Sequence, residues 1–544
     1  MTQLELPTLP SPSLDALLDL PTLVSVARIL IGMGEMTPQE LEVVSSHMVV
    51  INDELVLAVR SAIQAGTDPL GTAYCLIKSP KERRGAGQTF TPIEAVTGMF
   101  RWAEAQGGIA RIVDPGAGSG RYVLHGLRRN VRACGIAAEM DPLVALLLRA
   151  NAFALDVQDR LQIHLGDYRA LQLQPIEGRT LFIGNPPYVR HHEISADWKN
   201  WYSDSLKALG HASSQLAGLH LHFFVKTLAL ARPGDLGCFI TAAEWLDVNY
   251  GQSLRDLMTN GLGGKAVFVV SPEVPIFGDA LVTACITCFA PGSQDGEIEF
   301  KNIESAEQLL DLSGGHFADK VRAKAERSWS ILLRNRDIVQ HDGFVNLGEL
   351  FKVRRGQVTG KNSVWVTQDN RFGLPEEFLI PSITDAADII GAPNNRIEDL
   401  ASLRRVVDLP TSLEELDGDR RGAILEFLKW ARAEDADKGY IAQHRKPWWR
   451  VNMKDVPQIV VTYMGRRPPV FAINTAGASL INVAHGLYPK VQLEEGTLET
   501  LVAWLNINVS KDSGRVYAGG LTKFEPSEVM RLQIPGVAML EAGA

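Results

Sequence analysis

The sequence predicts an α/β fold built on a mostly parallel, doubly wound sheet, and three observations point to it. Apolar runs of strand length alternate with helical runs between Ala110 and Phe289, the pattern of repeated βα units. A glycine-rich turn, Asp114-Pro115-Gly116-Ala117-Gly118-Ser119-Gly120, follows the first of these strands. The first four strands close on Asp114, Glu139, Asp167 and Asn185, and ligands of open α/β sheets bind at the carboxyl ends of the strands.

At 544 residues the chain exceeds one ordinary core, so two or three domains are expected. A net charge of -9 argues against indiscriminate coating of nucleic acid, yet leaves room for a local basic cleft. Cys75, Cys134, Cys238, Cys285 and Cys288 are scattered and odd in number, which predicts free thiols and a reducing cytoplasmic setting. Cys285 and Cys288 form C-x-x-C inside an apolar run with no second pair nearby, so buried thiols are expected there and no metal site. The first residues do not read as a signal peptide, and no apolar run is long enough to cross a bilayer, so no membrane partner is expected.

Four segments are expected: a helical extension over 1–80, an α/β domain over 81–295, a connector over 296–345 and an α+β domain over 346–544. Residues 1–20 read as a loose Pro/Ser/Leu-rich arm. From Leu20 to about Gly66, apolar residues such as Leu23, Val26, Ala27, Leu30 and Ile31 recur at helical spacing. They predict two or three helices that cap the next domain and carry no chemistry. Lys81 to Gln88 is a charged loop. Thr89-Phe90-Thr91-Pro92 precedes a helix from Ile93 to Ala105, with Thr91 expected as its N-cap and Pro92 at its first position. Strands are expected at Ala110–Val113, Ala133–Ala138, Leu161–Leu165, from Leu181, and at Gly237–Ala242, Ala266–Val270 and Leu281–Phe289. The intervening helices are Arg121–Arg129, Pro142–Ala154, Leu219–Leu230 and Leu254–Thr259, and residues 189–218 read as a loop.

From Leu347 the runs become short and β-like, apart from a helix expected from Leu413 to Ala433. Cations gather at Arg354-Arg355, at Arg445-Lys446-Pro447-Trp448-Trp449-Arg450, at Met464-Gly465-Arg466-Arg467-Pro468, and between Lys511 and Lys523. A basic run is usually a solvated face, and an Arg/Trp cluster can pack a core. Four such clusters in an acidic chain nonetheless suggest a phosphate-binding face. Tyr517 to Leu521 reads as a tight turn.

The glycines of the 114–120 turn allow close backbone approach of a ligand, which suits any nucleotide-like cofactor. Glu139, 25 residues after Asp114, can take both hydroxyls of a ribose. Asp167 can accept an adenine amino group. Asn185-Pro186-Pro187-Tyr188 must end the fourth strand, because proline has no N–H to donate. The prolines stiffen a rim that bears an amide, carbonyl lone pairs and a ring. Such a rim suits a flat group with an NH2: the amide oxygen and a carbonyl accept its hydrogens while the ring stacks on its face.

Thr89-Phe90-Thr91-Pro92, the glycine-rich turn, Glu139-Met140-Asp141-Pro142, Gly166-Asp167 and Asn185-Pro186-Pro187-Tyr188 occur in this order. The set resembles the gamma-class amino-methyltransferases of DNA, the adenine-N6 group typified by the TaqI methylase. The likeness is strong over 85–290 and looser over 345–535, where Leu347 to Gly356 and Val358-Thr359-Gly360 resemble the opening of the TaqI-like specificity domain. It implies a Rossmann-like methyltransferase sheet, S-adenosylmethionine as methyl donor, and a C-terminal target-recognition domain on double-stranded DNA. Thr89 and Thr91 would lie near the methionine moiety, Asp114 near its amino group, Glu139 on the ribose and Asp167 on the adenine N6. Gly116, Gly118 and Gly120 would shape the turn, and Phe223 would touch the adenine.

By the same resemblance Asn185 and Pro186 would hold the target amine and Pro187 would stiffen the rim. Tyr188 would stack on a flipped base that Phe277 braces. Arg354, Arg355, Arg445, Lys446, Arg466 and Arg467 would position the duplex by its phosphates. The expected activity is N6-adenine methylation, beside a separate cognate restriction endonuclease. A cytosine amino group presents the same atoms, as do adenines in structured RNA and glutamine side chains, although a protein substrate needs no Arg/Trp-studded domain. A catalytically silent DNA-binding subunit is the non-enzymatic alternative. Glu299-Phe300-Lys301 is an E-x-K of the kind nucleases carry, without an evident upstream acid.

Overall fold

The computed structural model describes residues 12–79, 91–271, 274, 283–333, 342–517 and 521–543. The expectations for Thr89, for Phe277 and for the turn at 518–520 therefore lie outside the described residues. The chain divides into two compact units, one ending at Asn335 and the other beginning at Arg336.

Among the described residues of the first unit, nine strands form one sheet. They are β1 (Arg111–Pro115), β2 (Cys134–Glu139), β3 (Leu161–Leu165), β4 (Thr180–Gly184), β5 (Leu236–Ala242), β6 (Gly264–Val270), β7 (Ala284–Phe289), β8 (Glu297–Ile303) and β9 (His316–Asp319). Their order is β3-β2-β1-β4-β5-β7-β6-β8-β9. The strands from β3 to β5 are parallel, and β7 runs antiparallel between β5 and β6. Growth of the sheet reverses between β3 and β4. The crevice beyond the carboxyl ends of β1 and β4 is thus a topological switch point, where such sheets take their ligands.

Helices cover both faces, so β1, β4, β5 and β7 are buried throughout and read as continuous apolar runs. The pleat sends alternate residues to opposite sides. Ile112, Leu181 and Ile183 pack with Phe100, Tyr122 and Leu127 on one face. Val113, Phe182 and Phe239 pack with Phe224 and Leu257 on the other.

Three differences from the sequence expectations concern this unit. Residues 297–319, expected within a connector, supply β8 and β9. Ile298, Phe300 and Ile303 of β8 are buried while the residues between them face outward, and this half-polar alternation hides a strand that pairs with both β6 and β9. Within β8, Glu299 accepts the Gly315 N–H at 2.6 Å and Lys301 donates to the Asp311 carbonyl at 3.4 Å, so the E-x-K triplet serves the sheet. The stretch read as a loop, 189–218, holds a helix at Ala196–Ala208, N-capped by Ser195. The arm expected to be loose is anchored from Pro12 onward: a short helical turn there buries Leu14 and Leu17.

The N-terminal helices Leu20–Ile31, Pro38–His47, Asp53–Gln64 and Pro69–Ile77 share an apolar core with Val144, Leu146, Leu147 and Ala150 of helix Pro142–Ala154. That last helix is therefore apolar nearly all round. Arg149 clamps the fully buried carboxylate of Glu40 with two bonds, at 3.0 and 3.1 Å. Removing Arg149 would strand the buried Glu40 carboxylate, at a cost of roughly 3 kcal/mol.

The second unit is α+β. Its described residues form a five-stranded, mostly antiparallel sheet and three smaller ones, with helices Gly418–Ala433 and Glu495–Asn508. Asp417 caps the first of these by accepting the Arg420 N–H at 2.9 Å, so that helix starts five residues later than Leu413. No helix among the described residues is long and apolar enough to cross a membrane.

Candidate active site

A cavity of about 600 Å³ opens at the carboxyl ends of β1 to β4. The glycine-rich turn forms its floor. Gly116, Gly118 and Gly120 have φ of 76°, 58° and 95°, a left-handed backbone that side chains disfavour. A β-carbon on Gly116 would stand 3.4 Å from Pro187 and 3.8 Å from Phe223, filling the space between them. Gly120 opens helix Arg121–Arg129, and a β-carbon there would overlap Leu148.

The acids behave differently from one another. Glu139 accepts the Gly118 N–H at 2.9 Å through one oxygen, and the N–H groups of Met140 and Asp141 through the other. Burial raises its pKa, against those three bonds. Asp114 is fully buried behind the cavity wall and accepts the Val123 N–H at 3.1 Å. Burial, and then the charge of Glu139, push its carboxyl up to about 8. Asp167 lines the cavity but is gripped by Arg169, with Nε 2.9 Å from Oδ1 and the terminal nitrogen 2.6 Å from Oδ2. The Arg169 guanidinium lies 4.0 Å from the Trp198 ring. Phe223 reaches the cavity and packs against Tyr168 at 5.0 Å, whereas Phe224 faces the core against Phe239.

Asn185, half-buried at the end of β4, faces the same cavity with Pro187. Its amide nitrogen donates to Thr91 Oγ1 at 3.1 Å. This corrects the expected role of Thr91. Pro92 occupies the N-cap position of helix Ile93–Ala105, and no side chain caps it. The Thr91 hydroxyl is engaged by Asn185 and by Tyr122 instead. Pro186 is buried behind the rim. The Tyr188 ring does not line the cavity: it packs on the core and its hydroxyl donates to the Ile240 carbonyl at 3.4 Å. Gly184 is required before Asn185, since a β-carbon there would lie 2.8 Å from Asp114. The sequence reading missed one wall altogether. Gly71, Tyr74 and Cys75 of the N-terminal helix Pro69–Ile77, and Trp198 beyond the rim, all line the cavity.

Residues 177–267 match the family described as Eco57I restriction-modification methylase, and residues 331–543 match Type II methyltransferase M.Eco57I, C-terminal domain. The Type II methyltransferase M.XamI of Xanthomonas campestris pv. amaranthicola is 47% identical over 477 residues, 87% of this chain and 88% of that protein. The chain belongs to the type II DNA methyltransferases of restriction–modification systems. It is a gamma-class, TaqI-like methyltransferase with a C-terminal domain. The Type II methyltransferase M.AccI of Acinetobacter calcoaceticus is 22% identical over 485 residues, 85% of this chain and 88% of that one. A nuclease-deletion mutant of the type ISP restriction-modification enzyme LlaGI, solved with a DNA substrate mimic, shares the fold. It has a TM-score of 0.51 and 10% identity, over 92% of this chain and 60% of that one.

In the methyltransferase's second unit the cations named from sequence divide into two groups. Arg354 lies over the Tyr488 ring at 5.0 Å and 3.6 Å from Asp455. Arg355 pairs with Glu525, and Arg445 donates to the Thr359 carbonyl at 2.9 Å. These three are tied within their own unit. Lys446 lines a second cavity of about 360 Å³, with Arg445, Arg450, Gln357 and Asn452 among its neighbours. Arg466 and Arg467 are exposed and have no ion-pair partner among the described residues.

Proposed function

We propose that this methyltransferase carries a methyl group from S-adenosylmethionine to the N6 amino group of an adenine flipped out of double-stranded DNA at a specific sequence. It would be the modification partner of a separate endonuclease. The observation that carries this reading is the meeting of the Asn185 amide with Gly118, Glu139 and Asp167 on one cavity. The residues fit the donor. Gly116 leaves space that a side chain would fill, Glu139 offers a carboxylate to the ribose, and Asp114, buried behind the wall, would act on an ammonium group by its charge.

S-adenosylmethionine supplies an electrophilic methyl on a sulfonium. The lone pair of a base amine is delocalised into its ring. Bonds from that amine to the Asn185 oxygen and the Pro186 carbonyl draw the nitrogen toward a tetrahedral shape and aim its lone pair at the methyl. The nitrogen would take the methyl as the sulfur leaves as a neutral thioether, and the displaced amine proton would pass to water. Positioning and electrostatics supply the rate, with no covalent enzyme intermediate. Thr91 fits the assignment: taking an amide hydrogen from Asn185 sets which end of the amide is the donor and which the acceptor. Flipping brings the amine to this rim.

Methylation-aware sequencing of DNA from cells expressing the chain reads base, atom and site together. N6-methyladenine at one recurring motif is expected; N4-methylcytosine in its place would reassign the target. Asn185→Ala is expected to abolish methylation while donor binding persists, and unchanged turnover in that variant would reject the site.

A further inference from the structure

The N-terminal helices lie outside the motifs that identify the methyltransferase, yet one of their residues ties three elements of the site together. Asp68 caps helix Pro69–Ile77 by accepting the Gly71 N–H at 2.9 Å. The same carboxylate takes the Ser119 hydroxyl at 2.5 Å and the Arg121 Nε at 2.9 Å, both from the glycine-rich turn and the helix it opens. It also accepts the Asn151 amide at 3.1 Å, and that amide reaches the Ser119 carbonyl at 3.0 Å. Arg121 continues the network to the Thr91 carbonyl and the Thr72 hydroxyl. The fit is close. A β-carbon on Gly71 would lie 2.3 Å from Ser119 Oγ, so only glycine lets the helix rest on the turn.

Two further contacts lie beside this network, at groups that hold the donor in the proposed reading. Gly118, beside Ser119, donates to Glu139. The Tyr74 hydroxyl donates to Asp141 at 3.3 Å, and Tyr74 itself lines the cavity. Asp68 is not among the lining residues. We propose that the N-terminal helices are a working wall of the methyl-donor site and that Asp68 is a positioning residue, holding the glycine-rich turn from behind so that it presents Gly118 and Glu139 to the donor nucleoside. The inference rests on the reading of this cavity as the S-adenosylmethionine site.

The test measures donor and product binding to the full-length chain by calorimetry, together with kcat, KM and melting temperature. Asp68→Asn keeps the size of the side chain but weakens the charge-assisted bonds. It is expected to weaken S-adenosylmethionine and S-adenosylhomocysteine binding about tenfold, with kcat at saturating donor little changed. Asn151→Ala, which touches the same carboxylate from helix Pro142–Ala154 and also lies off the cavity, is expected to shift donor affinity in the same direction by a smaller factor. Unaltered donor affinity in both folded variants would overturn the proposal, as would a loss confined to kcat or to thermal stability. Failure of the unaltered protein to bind either compound would instead remove the reading of the cavity on which the proposal rests.

Discussion

One oxygen of Asp114 takes the Val123 N–H, while the other has no partner among the described residues. A buried carboxyl in that position holds its proton, and its pKa is pushed up to about 8. A cationic amino group arriving beside it would favour the charged form and drive the proton off. The sign is fixed by the direction of the shift. Below pH 8 Asp114 is largely protonated in the free protein, so donor binding should release a proton and should tighten as pH rises from about 6 to about 8. Calorimetry in buffers of different ionisation enthalpy is expected to read the release of close to one proton near pH 7. Asp114→Asn is expected to remove that release and weaken the donor. Proton-independent binding in the unaltered protein would place the ammonium elsewhere.

At the scale of elements, local signals explain what the sequence made legible. Asp141 and Pro142 mark the start of helix Pro142–Ala154 with a cap and a preset φ, and its bounds were readable to the residue. The prolines after Asn185 end β4 where the missing N–H requires. What stayed hidden arises from contacts distant in sequence. Gly71, Tyr74 and Cys75 carry no signature and become cavity wall only through packing against the glycine-rich turn. Thr91 reads as a cap because threonine before proline usually is one; Asn185, 94 residues away, claims its hydroxyl. Helix Ala196–Ala208 was obscured by its polar face, and it bears Trp198.

That helix reaches the cavity proposed for the donor through Trp198, Arg169 and Asp167. Trp198→Ala would release the guanidinium that grips Asp167, removing a cation–π contact worth about 1 kcal/mol. Donor affinity is expected to fall about fivefold, with most of it kept in Trp198→Phe, which still offers an aromatic face. Titration of both variants with S-adenosylhomocysteine checks this, and equal affinity in Trp198→Ala and the unaltered protein would uncouple the helix from the pocket.

Across the whole molecule, a net charge of -9 leaves duplex binding to local cations, and their partners decide which of them are available. Arg355 faces Glu525, whose carboxyl is held below its usual range, against burial, by Lys523 and Arg355. Arg355→Ala should therefore act on stability first: the melting temperature of the second unit is expected to drop, and duplex affinity to change little at temperatures where the protein is folded. Arg466 and Arg467 have no ion pair among the described residues to lose, and they follow the short strand Met464–Gly465, which pairs with Leu521–Lys523. Replacing both with alanine should leave the melting temperature unchanged. A phosphate contact releases condensed counterions, so each one lost lowers the slope of log affinity against log salt by about 1. The double variant is expected to bind every duplex more weakly, to lower that slope by about 2, and to bind S-adenosylhomocysteine normally. An unchanged salt slope would mean that these two arginines are solvated surface, and that the phosphate face lies with Lys446 and its neighbours around the second cavity.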